Sequence, residues 1–300
     1  MLWFRKPHRN EKGRKMKKLQ IMVIGFMIIS AATAGADSLL FKGTNMALYT
    51  AVGSWSNVTT SSSGRVPIYG DTANIAGSSI AQITTAAGMN VGATVNVSNN
   101  AAIFRNGNSA AYFSGTLNFK DNSALTASQF ALYSNAVFNW NSTGVWNGNG
   151  ANAQANLYVA LANGNSGSGP TINMSAGTWN LTGNSGANSF QLDVGTFTMT
   201  GGKIFAEDIF KMGSGSSSSR VNLGGTGEIY CMAADASIQI LSSSILNFDG
   251  TTSALYVNTN YNIKTLLTTK VGTGNIYVDG TQITSIDQLE IGRASCRERV

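Results

Sequence analysis

A short pattern of one apolar residue, one polar residue and a second apolar residue recurs along the chain at a nearly fixed interval. Seven copies occupy Val95–Val97, Leu117–Phe119, Phe138–Trp140, Ile172–Met174, Phe197–Met199, Val221–Leu223 and Leu246–Phe248, and a degenerate eighth copy is expected to begin at Val271. The spacings between their first residues are 22, 21, 34, 25, 24, 25 and 25. A period in this range is typical of a solenoid, in which each repeat forms one coil stacked on the next.

The residues within each period are typical of short strands joined by turns. Apolar and polar residues alternate in Ile276–Val278, and pairs such as Asp279-Gly280 supply turn signals. Three strands are expected in one period, at Ile172–Met174, Thr178–Leu181 and Phe190–Val194. The sequence therefore predicts an all-β fold, a right-handed parallel β-helix (β-solenoid) with about 20–25 residues per coil.

The middle residue of the triplet is Asn in six of the seven copies and Thr198 in the fifth. An Asn that pointed inward could form a hydrogen-bonded ladder from coil to coil inside the core. Side chains alternate across a strand, however, so an Asn between two inward apolar residues points outward. We expect the outward orientation, with the Asn side chains stacked on the surface.

Residues 1–36 are predicted to be a leader that contains a secretory signal peptide. A basic start at Met16-Lys17-Lys18 precedes the apolar run Leu19–Ile29, and small residues allow cleavage after Ala34 or Ala36. The apolar run is shorter than a membrane-spanning helix requires. Met16 is the expected translation start, and the protein is expected to be exported.

Residues 290–300 are predicted not to be native. The ten residues from Ile291 to Val300 match the translation of a common short-read sequencing adapter. The adapter also restricts the preceding codon to Glu, Lys, Gln or stop, and residue 290 is Glu. The alternative is a genuine basic tail. We expect a reading frame interrupted near Leu289, with the natural C-terminus missing.

The net charge changes sign when both ends are set aside. The full chain carries +6 at pH 7, but Asp37–Glu290 contains nine basic and twelve acidic residues, which gives −3. The excess of basic residues, which would suggest a nucleic-acid or membrane partner, therefore lies in the leader and the C-terminal tail. Residues 37–290 also contain no His and a single Cys, Cys231, which excludes an internal disulfide and a Cys/His metal cluster there. We predict no cofactor, no metal site, no nucleic-acid partner and no membrane span in this part.

The body is expected to consist of two segments. Residues 37–94 are predicted to form initial capping coils, since the first coil of a solenoid has exposed strand edges. Residues 95–289 are predicted to form the β-helix repeats. A Gly/Asn-rich insertion near residues 147–170 accounts for the long spacing of 34 and is expected to loop out of one coil.

The signal segment, the Gly53-Ser54-Trp55 and Gly70-Asp71-Thr72-Ala73 motifs, and repeats such as Thr198–Gly202 resemble those of exported β-solenoid proteins of Gram-negative bacteria. These are the autotransporter-passenger-like proteins and the surface proteins that end in a PEP-CTERM sorting signal. The resemblance covers about Gly53 to Gly280 and implies a structural or adhesive stalk or display module without catalytic activity. It also implies a location at the outer-membrane surface or outside the cell, with an extracellular polysaccharide or a host or cell-surface glycan as partner.

The alternative is a carbohydrate-active β-helix, a polysaccharide lyase or hydrolase. Its candidate catalytic residues are the carboxylates Asp193, Asp208, Asp235 and Asp249, with Glu207 nearby and Lys211 or Arg220 as a base or substrate clamp. Carboxylates that converge in one groove would favour the enzyme, and carboxylates scattered over different faces would favour ordinary surface residues. We predict no catalytic residues in the main hypothesis.

Aromatic residues leave two interpretations open. Trp140, Trp146, Tyr158, Trp179, Phe205, Tyr230 and Tyr256 could form an exposed stacking platform for sugars or could fill the interior of the coils. The alternation of the strands places many of these aromatic residues beside other apolar residues, so a position in the core is the favoured interpretation. Cys231 is likewise expected to pack as a small buried apolar residue.

Overall fold

A computed structural model of the chain describes residues 38–42, 47–48, 55–57, 66–83, 89–105, 111–127, 130–133, 135–148, 157–159, 169–181, 188–207, 209–213, 217–232, 237–241, 244–249, 251–258 and 270–284. The predicted leader (1–36) and the predicted non-native tail (290–300) lie outside these residues. The described residues belong to one compact unit. In the part of the chain that is described, no helix is long and apolar enough to cross a membrane.

Every regular element in these segments is a β-strand. In chain order the strands are β1 (Ser38–Phe41), β2 (Ala47–Leu48), β3 (Trp55–Asn57), β4 (Thr72–Ile75), β5 (Ile80–Ile83), β6 (Met89–Val97), β7 (Ala102–Arg105), β8 (Ala111–Asp121), β9 (Ala124–Thr126), β10 (Phe130–Leu132), β11 (Val137–Ser142), β12 (Val145–Asn147), β13 (Leu157–Val159), β14 (Thr171–Met174), β15 (Thr178–Leu181), β16 (Asn188–Leu192), β17 (Gly195–Met199), β18 (Lys203–Ala206), β19 (Ile209–Met212), β20 (Ser219–Gly224), β21 (Glu228–Cys231), β22 (Ser237–Ile240), β23 (Ile245–Asp249), β24 (Ala254–Val257), β25 (Lys270–Gly272), β26 (Asn275–Val278) and β27 (Thr281–Ile283).

These strands form three sheets, each built from successive coils. Sheet A has twelve strands in the order β25-β23-β20-β17-β14-β11-β8-β6-β4-β1-β3, with β10 paired to β8 beside this path. Sheet B has eleven strands in the order β2-β5-β7-β9-β12-β15-β18-β21-β24-β26-β27, and sheet C has four in the order β13-β16-β19-β22. All pairs are parallel except those of β3 and β27. The predicted all-β parallel solenoid is confirmed.

The strand register shows that the sequence repeat marks one coil. Asn96 lies between Asn74 and Asn118 in sheet A, and Asn139 lies between Asn118 and Asn173. The hydrogen-bonded Asn pairs in this series are 22, 22, 21 and 34 residues apart. The Asn series begins one coil before the first recognised triplet, because Ala73-Asn74-Ile75 occupies the triplet position within the predicted capping segment. Sheet A continues beyond it through β1, with Leu40 opposite Asn74.

The eighth copy of the triplet does not begin at Val271. Lys270 lies opposite Leu246 and Val271 lies opposite Asn247, so the copy begins one residue earlier. Val271 therefore takes the outward position of the triplet and is 55% exposed. A shift of one residue exchanges the two faces of a strand, and the degenerate local pattern did not distinguish the two registers.

Alternate residues of the strands fill one hydrophobic core. In β11, Phe138 and Trp140 are buried, whereas Asn139 between them is only half-buried. Trp179 of sheet B contacts Trp146 in the same sheet and Trp140 in sheet A, with ring centroids 5.0 and 5.9 Å apart. These edge-to-face arrangements suit the quadrupoles of aromatic rings. The prediction that these three Trp residues belong to the core is confirmed.

Antiparallel strands occupy one edge of each long sheet. β3 pairs with β1 in sheet A, and β27 pairs with β26 in sheet B. Asp279 and Gly280 join β26 to β27 with φ angles of 48° and 78°, the left-handed values that a type I′ hairpin turn requires. Reversed strands of this kind interrupt the parallel stacking pattern at an edge where another chain could pair.

The Gly/Asn-rich insertion near residues 147–170 contains a strand of the solenoid. Leu157–Val159 (β13) pairs in parallel with β16 in sheet C, with Tyr158 opposite Gln191. Residues 149–156 and 160–168 lie outside the described residues. The described part of the insertion is therefore an element of the coil and is integrated into the third sheet.

Candidate functional site

The outward side of sheet A carries a ladder of Asn side chains. The Asn Nδ2 of each coil donates to the Oδ1 of the preceding coil, with distances of 3.0, 2.9, 2.8 and 2.8 Å along the series Asn74, Asn96, Asn118, Asn139 and Asn173. The inward neighbours of each Asn are fully buried while the Asn itself is half-buried. The expected outward orientation of the Asn residues is thus confirmed.

A second outward column runs beside the Asn ladder, two residues earlier on each strand. Its members are Thr72, Thr94, Thr116, Val137, Thr171, Thr196, Arg220 and Ile245. The two columns together are called the ladder face. From Thr72 to Thr198 both columns consist of uncharged side chains, and Arg220 is the first charged residue in either column. From Thr72 to Thr198 this surface is neutral and consists of hydroxyl and amide groups except at Val137.

Thr198 interrupts the Asn ladder at one position. It lies between Asn173 and Asn222 in the register of sheet A. Asn222 Nδ2 donates to Thr198 Oγ1 at 3.3 Å, and Asn247 Nδ2 donates to Asn222 Oδ1 at 3.5 Å. Both bonds are longer than the 2.8–3.0 Å bonds of the preceding coils. The bond to Thr198 is long because a Thr hydroxyl reaches less far along the stacking direction than a carboxamide.

Substitution Thr198→Asn is expected to stabilise the protein. The new amide would donate to Asn173 and accept from Asn222, and a typical intramolecular hydrogen bond contributes about 0.5–1.5 kcal/mol. We expect the free energy of unfolding to rise by about 0.5–1 kcal/mol after the lower strand propensity of Asn is subtracted. Chemical denaturation monitored by circular dichroism measures this change.

Thr196→Asn is the matched control for this substitution. Thr196 lies on the same strand and faces the same side, but its register neighbours are Thr171 and Arg220. Thr196→Asn therefore has the same decrease in strand propensity as Thr198→Asn, but its amide forms no hydrogen bonds with the Asn ladder. Equal free energies of unfolding for the two variants would show that ladder continuity contributes nothing.

Sheet B carries an outward row of stacked aromatic rings. The ring centroids of Phe205, Tyr230, Tyr256 and Tyr277 are 4.7, 4.4 and 4.8 Å apart, with interplanar angles of 18°, 3° and 13°. Phe205 is 41% exposed and the three Tyr residues are half-buried. These four residues are called the aromatic row. The core interpretation was wrong for Phe205, Tyr230 and Tyr256, and the side chain of Tyr158 lies outside what the structure describes.

The signal for this row was present in the sequence. Each of its residues follows an inward apolar residue in a short strand, as Tyr230 follows Ile229 and Tyr277 follows Ile276. Alternation alone therefore places these rings outward. Tyr277 was not among the aromatic candidates, although the alternation in Ile276–Val278 places its ring outward as well.

Stacking determines which part of each ring the solvent reaches. Rings that stack face to face cover each other's faces, so the interior rings of the row present their edges and hydroxyl groups. Tyr256 lies between two such neighbours, 4.4 Å from Tyr230 and 4.8 Å from Tyr277. A sugar that stacks on an aromatic face cannot insert between rings at this separation. The row therefore offers a line of phenolic hydroxyls and not a stacking platform.

Two charged groups adjoin the aromatic row. Lys203 Nζ lies 2.8 Å from Glu228 Oε2 and 5.8 Å from the ring centroid of Tyr230. The Tyr230 hydroxyl donates to Glu228 Oε2 at 2.9 Å. Burial first, and then the hydrogen bond to Glu228, raise the pKa of Tyr230 to about 12, while the hydrogen bond with Glu228 and its charge raise the pKa of Lys203. At neutral pH Tyr230 is therefore protonated and Lys203 is charged.

The carboxylates proposed for the enzymatic alternative occupy different places. Asp193 follows the last residue of β16 in sheet C, and its two carboxylate oxygens accept hydrogen bonds from Gln191 Nε2 at 2.8 and 2.9 Å. Asp249 is the last residue of β23 in sheet A. Asp208 and Asp235 lie outside the described residues. The two placed candidates thus lie at or just after the ends of strands in two different sheets.

The other charged candidates are also distributed. Glu207 is exposed directly after β18 in sheet B. Lys211 is half-buried on β19 of sheet C, and Arg220 is exposed on β20 of sheet A. In the described segments no group of three or more His, Cys, Asp or Glu side chains is arranged to hold a metal ion. Cys231 is 2% exposed, and burial raises the pKa of its thiol; the expected packing of this residue is confirmed.

Comparison with known proteins gives no relative from which a function could be transferred. No protein-family profile matches the chain, and neither a curated protein nor a solved structure is significantly similar to it. The two outward surfaces that could contact a partner are the ladder face and the aromatic row.

Proposed function

We propose that this protein is an exported, non-catalytic β-solenoid that serves as a structural and adhesive module at the surface of a Gram-negative cell. The observation that carries the proposal is the stack of coils, in which one core extends through the described repeats and Asn–Asn hydrogen bonds join five successive coils of sheet A. Each coil contacts mainly its neighbours, so the repeat builds a rod and not a closed pocket. A rod with short polar side chains on its outside suits display away from a membrane.

The described carboxylates support a scaffold role. Asp71 accepts from the backbone N–H of Ile68 at 2.7 Å, and Asp121 accepts from the backbone N–H of Asn99 at 3.1 Å. Asp193 is bonded to Gln191, and Glu228 to Lys203 and Tyr230. General acid and base catalysis needs carboxylates that reach a substrate from a common groove. Asp71 and Asp193 instead bond to groups two or three residues away, and Asp121 and Glu228 bond to the preceding coil.

The proposed partner is an extracellular polysaccharide or a cell-surface glycan, bound along the aromatic row. The hydroxyls of Tyr230, Tyr256 and Tyr277 recur once per coil, at the spacing of about 4.8 Å that separates stacked strands. A glycan that lies along this row would exchange hydrogen bonds with the hydroxyls and pack against the ring edges. Such contacts are individually weak, so binding would depend on several coils acting together.

Expression of the full chain in a Gram-negative host tests both parts of the proposal. We expect the leader to be removed, the folded body to be found outside the cytoplasm, and the purified protein to retain polysaccharides without shortening them. Retention is measured by pull-down and chain length by viscometry. The triple variant Tyr230→Phe, Tyr256→Phe, Tyr277→Phe keeps the stacked rings but removes the hydroxyls, and we expect it to reduce retention at least tenfold.

Two outcomes would contradict the proposal. An uncleaved chain in the cytoplasm would exclude the exported role. Shortening of a polysaccharide that the variant Asp193→Asn abolishes would instead support the carbohydrate-active alternative. Asn at residue 193 keeps the size of the side chain near Gln191 but removes its acid and base chemistry, so this variant separates catalysis from folding.

A further inference from the structure

We propose that the aromatic row is a site of oxidative modification, at which a one-electron oxidant of the peroxidase class joins the rings of Tyr230 and Tyr256 by a carbon–carbon bond. The product is a dityrosine cross-link between two successive coils. The inference goes beyond the proposed function and does not depend on it. It rests on the placement of the two phenols, on a proton acceptor beside one of them and on their access to solvent.

The two rings are held in a geometry from which phenoxyl radicals couple. Their centroids are 4.4 Å apart and the angle between their planes is 3°. Tyr230 lies opposite Tyr256 in the parallel register of β21 and β24, so both side chains leave their strands in the same direction. Carbon atoms in contact are about 3.5–4.0 Å apart, so a small movement of either ring brings two ortho carbons together. Two reactants fixed in this way react with each other faster than with distant partners.

A carboxylate is in place to take the proton that Tyr230 loses on oxidation. The Tyr230 hydroxyl donates to Glu228 Oε2 at 2.9 Å. A phenol becomes a strong acid when it loses an electron, so its proton passes to the carboxylate as the electron leaves. A base at hydrogen-bonding distance from the departing proton speeds such a transfer. Oxidation of the row therefore begins at Tyr230.

The reaction balances as a two-electron oxidation. Each phenol loses its hydroxyl hydrogen as one proton and one electron, and the two phenoxyl radicals form a bond between an ortho carbon of each ring. The hydrogen on each of these carbons then moves, through solvent, to the phenolic oxygen of its own ring, which restores two aromatic phenols. The two electrons and two protons reduce one molecule of hydrogen peroxide, the co-substrate of the peroxidase, to two molecules of water.

The composition of the row selects one pair of residues. Tyr230, Tyr256 and Tyr277 are half-buried on the outward side of sheet B, and their stacking presents ring edges and hydroxyls to an oxidant. Phe205 has no hydroxyl and forms no phenoxyl radical. The rings of Tyr256 and Tyr277 are 4.8 Å apart with an angle of 13° between their planes, so they are farther apart and less parallel. Tyr230 and Tyr256 combine the closer stacking with the neighbouring carboxylate.

The cross-link supplies a covalent connection between coils where a disulfide is excluded. Residues 37–290 contain a single Cys. Tyr230 and Tyr256 are 26 residues apart, so a bond between them closes a loop of one coil, and such a closure lowers the entropy of the unfolded chain. The inward neighbours Ile229 and Leu255 stay in the core, because the bond forms on the outside of the sheet.

Oxidation of the purified full chain by a haem peroxidase with a limiting amount of hydrogen peroxide tests this inference. The protein is kept dilute so that collisions between chains are rare, and the monomer is isolated afterwards. Fluorescence measures dityrosine, and peptide mass spectrometry identifies the joined residues. We expect a monomer that has lost two hydrogen atoms and in which Tyr230 is joined to Tyr256.

Three variants assign the reaction to the row, and circular dichroism establishes that each is folded. Tyr256→Phe keeps the stacked ring but removes its phenol, and we expect the yield of cross-linked monomer to fall at least tenfold. Tyr69→Phe is the matched control, because Tyr69 is 86% exposed and its ring lies against Gly92 of sheet A; the yield should stay within twofold. Glu228→Gln removes the proton acceptor and should lower the initial rate of coupling between Tyr230 and Tyr256 at least threefold.

Several results would overturn the inference. Dityrosine found only in covalently linked dimers, or between residues other than Tyr230 and Tyr256, would show that encounters or exposure select the product. Equal losses of yield in Tyr256→Phe and Tyr69→Phe would have the same meaning. So would the absence of dityrosine under conditions in which the peroxidase couples free tyrosine. An unchanged initial rate in Glu228→Gln would overturn the assignment of Glu228 as the proton acceptor.

Discussion

Replacing Trp179 with Ala is expected to lower the free energy of unfolding by about 3–5 kcal/mol, the range for truncation of a large buried aromatic side chain. Trp179 is fully buried, and its ring lies 5.0–5.9 Å from the rings of Phe138, Trp140, Trp146 and Phe197. Its removal leaves a cavity where sheets A and B meet, and neighbouring coils cannot close this cavity without losing register. Urea denaturation monitored by circular dichroism measures the loss.

Trp179→Phe separates the packing contribution from the polar contribution at this position. Among the described residues, the indole Nε1 of Trp179 is buried without a hydrogen-bond partner, so its removal sacrifices no hydrogen bond. We therefore expect Trp179→Phe to lower the free energy of unfolding by less than half of the decrease caused by Trp179→Ala. A Phe variant as unstable as the Ala variant would mean that the indole N–H, and not the ring volume, stabilises the core.

Replacing Gly177 with Val is expected to destabilise the protein by at least about 3 kcal/mol, by combining backbone strain with a collision between coils. Gly177 lies at the corner from sheet A to sheet B with φ of +75°. A Cβ at this position would lie 2.3 Å from the carbonyl oxygen of Ser142 and 2.6 Å from that of Gly144, both in the preceding coil. Backbone atoms in a stacked coil cannot move aside without disturbing sheet hydrogen bonds.

Gly77→Val measures the cost of backbone strain without a collision between coils. Gly77 has nearly the same φ, +70°, but no heavy atom lies within 4 Å of the position that a Cβ would take. The cost of a left-handed conformation for a non-Gly residue is about 1–3 kcal/mol, and we expect Gly77→Val to show only this cost. If thermal denaturation gives the two Val variants the same stability, close stacking at the Gly177 corner is not what requires Gly.

The repeat predicted the fold because the direction of each side chain and the length of each coil follow from residues close together in the sequence. Inward Val95 and Val97 flank outward Asn96 by the period-two geometry of a strand, and the interval to Leu117 is the length of one coil. Three expectations were wrong. The insertion near residues 147–170 was expected to loop out, but its strand Leu157–Val159 pairs within the third sheet. Val271 was placed one residue out of register because its triplet is degenerate. Phe205, Tyr230 and Tyr256 were assigned to the core from their hydrophobicity, although their position in the strand indicated the outward side.

The sequence alone determined the parallel β-solenoid, the residues per coil, the outward Asn residues and the buried Trp residues, because each follows from alternation and period. Tertiary structure alone decided which distant residues share a surface. Register brings Thr72 and Thr196 into one column, and it stacks Tyr230 on Tyr256 at 4.4 Å. It also places Asp193 directly after a strand of sheet C and Asp249 at the end of a strand of sheet A. The physical reason is that side-chain neighbours in a solenoid lie one coil apart, so their proximity depends on how every intervening turn sets the length of the coil.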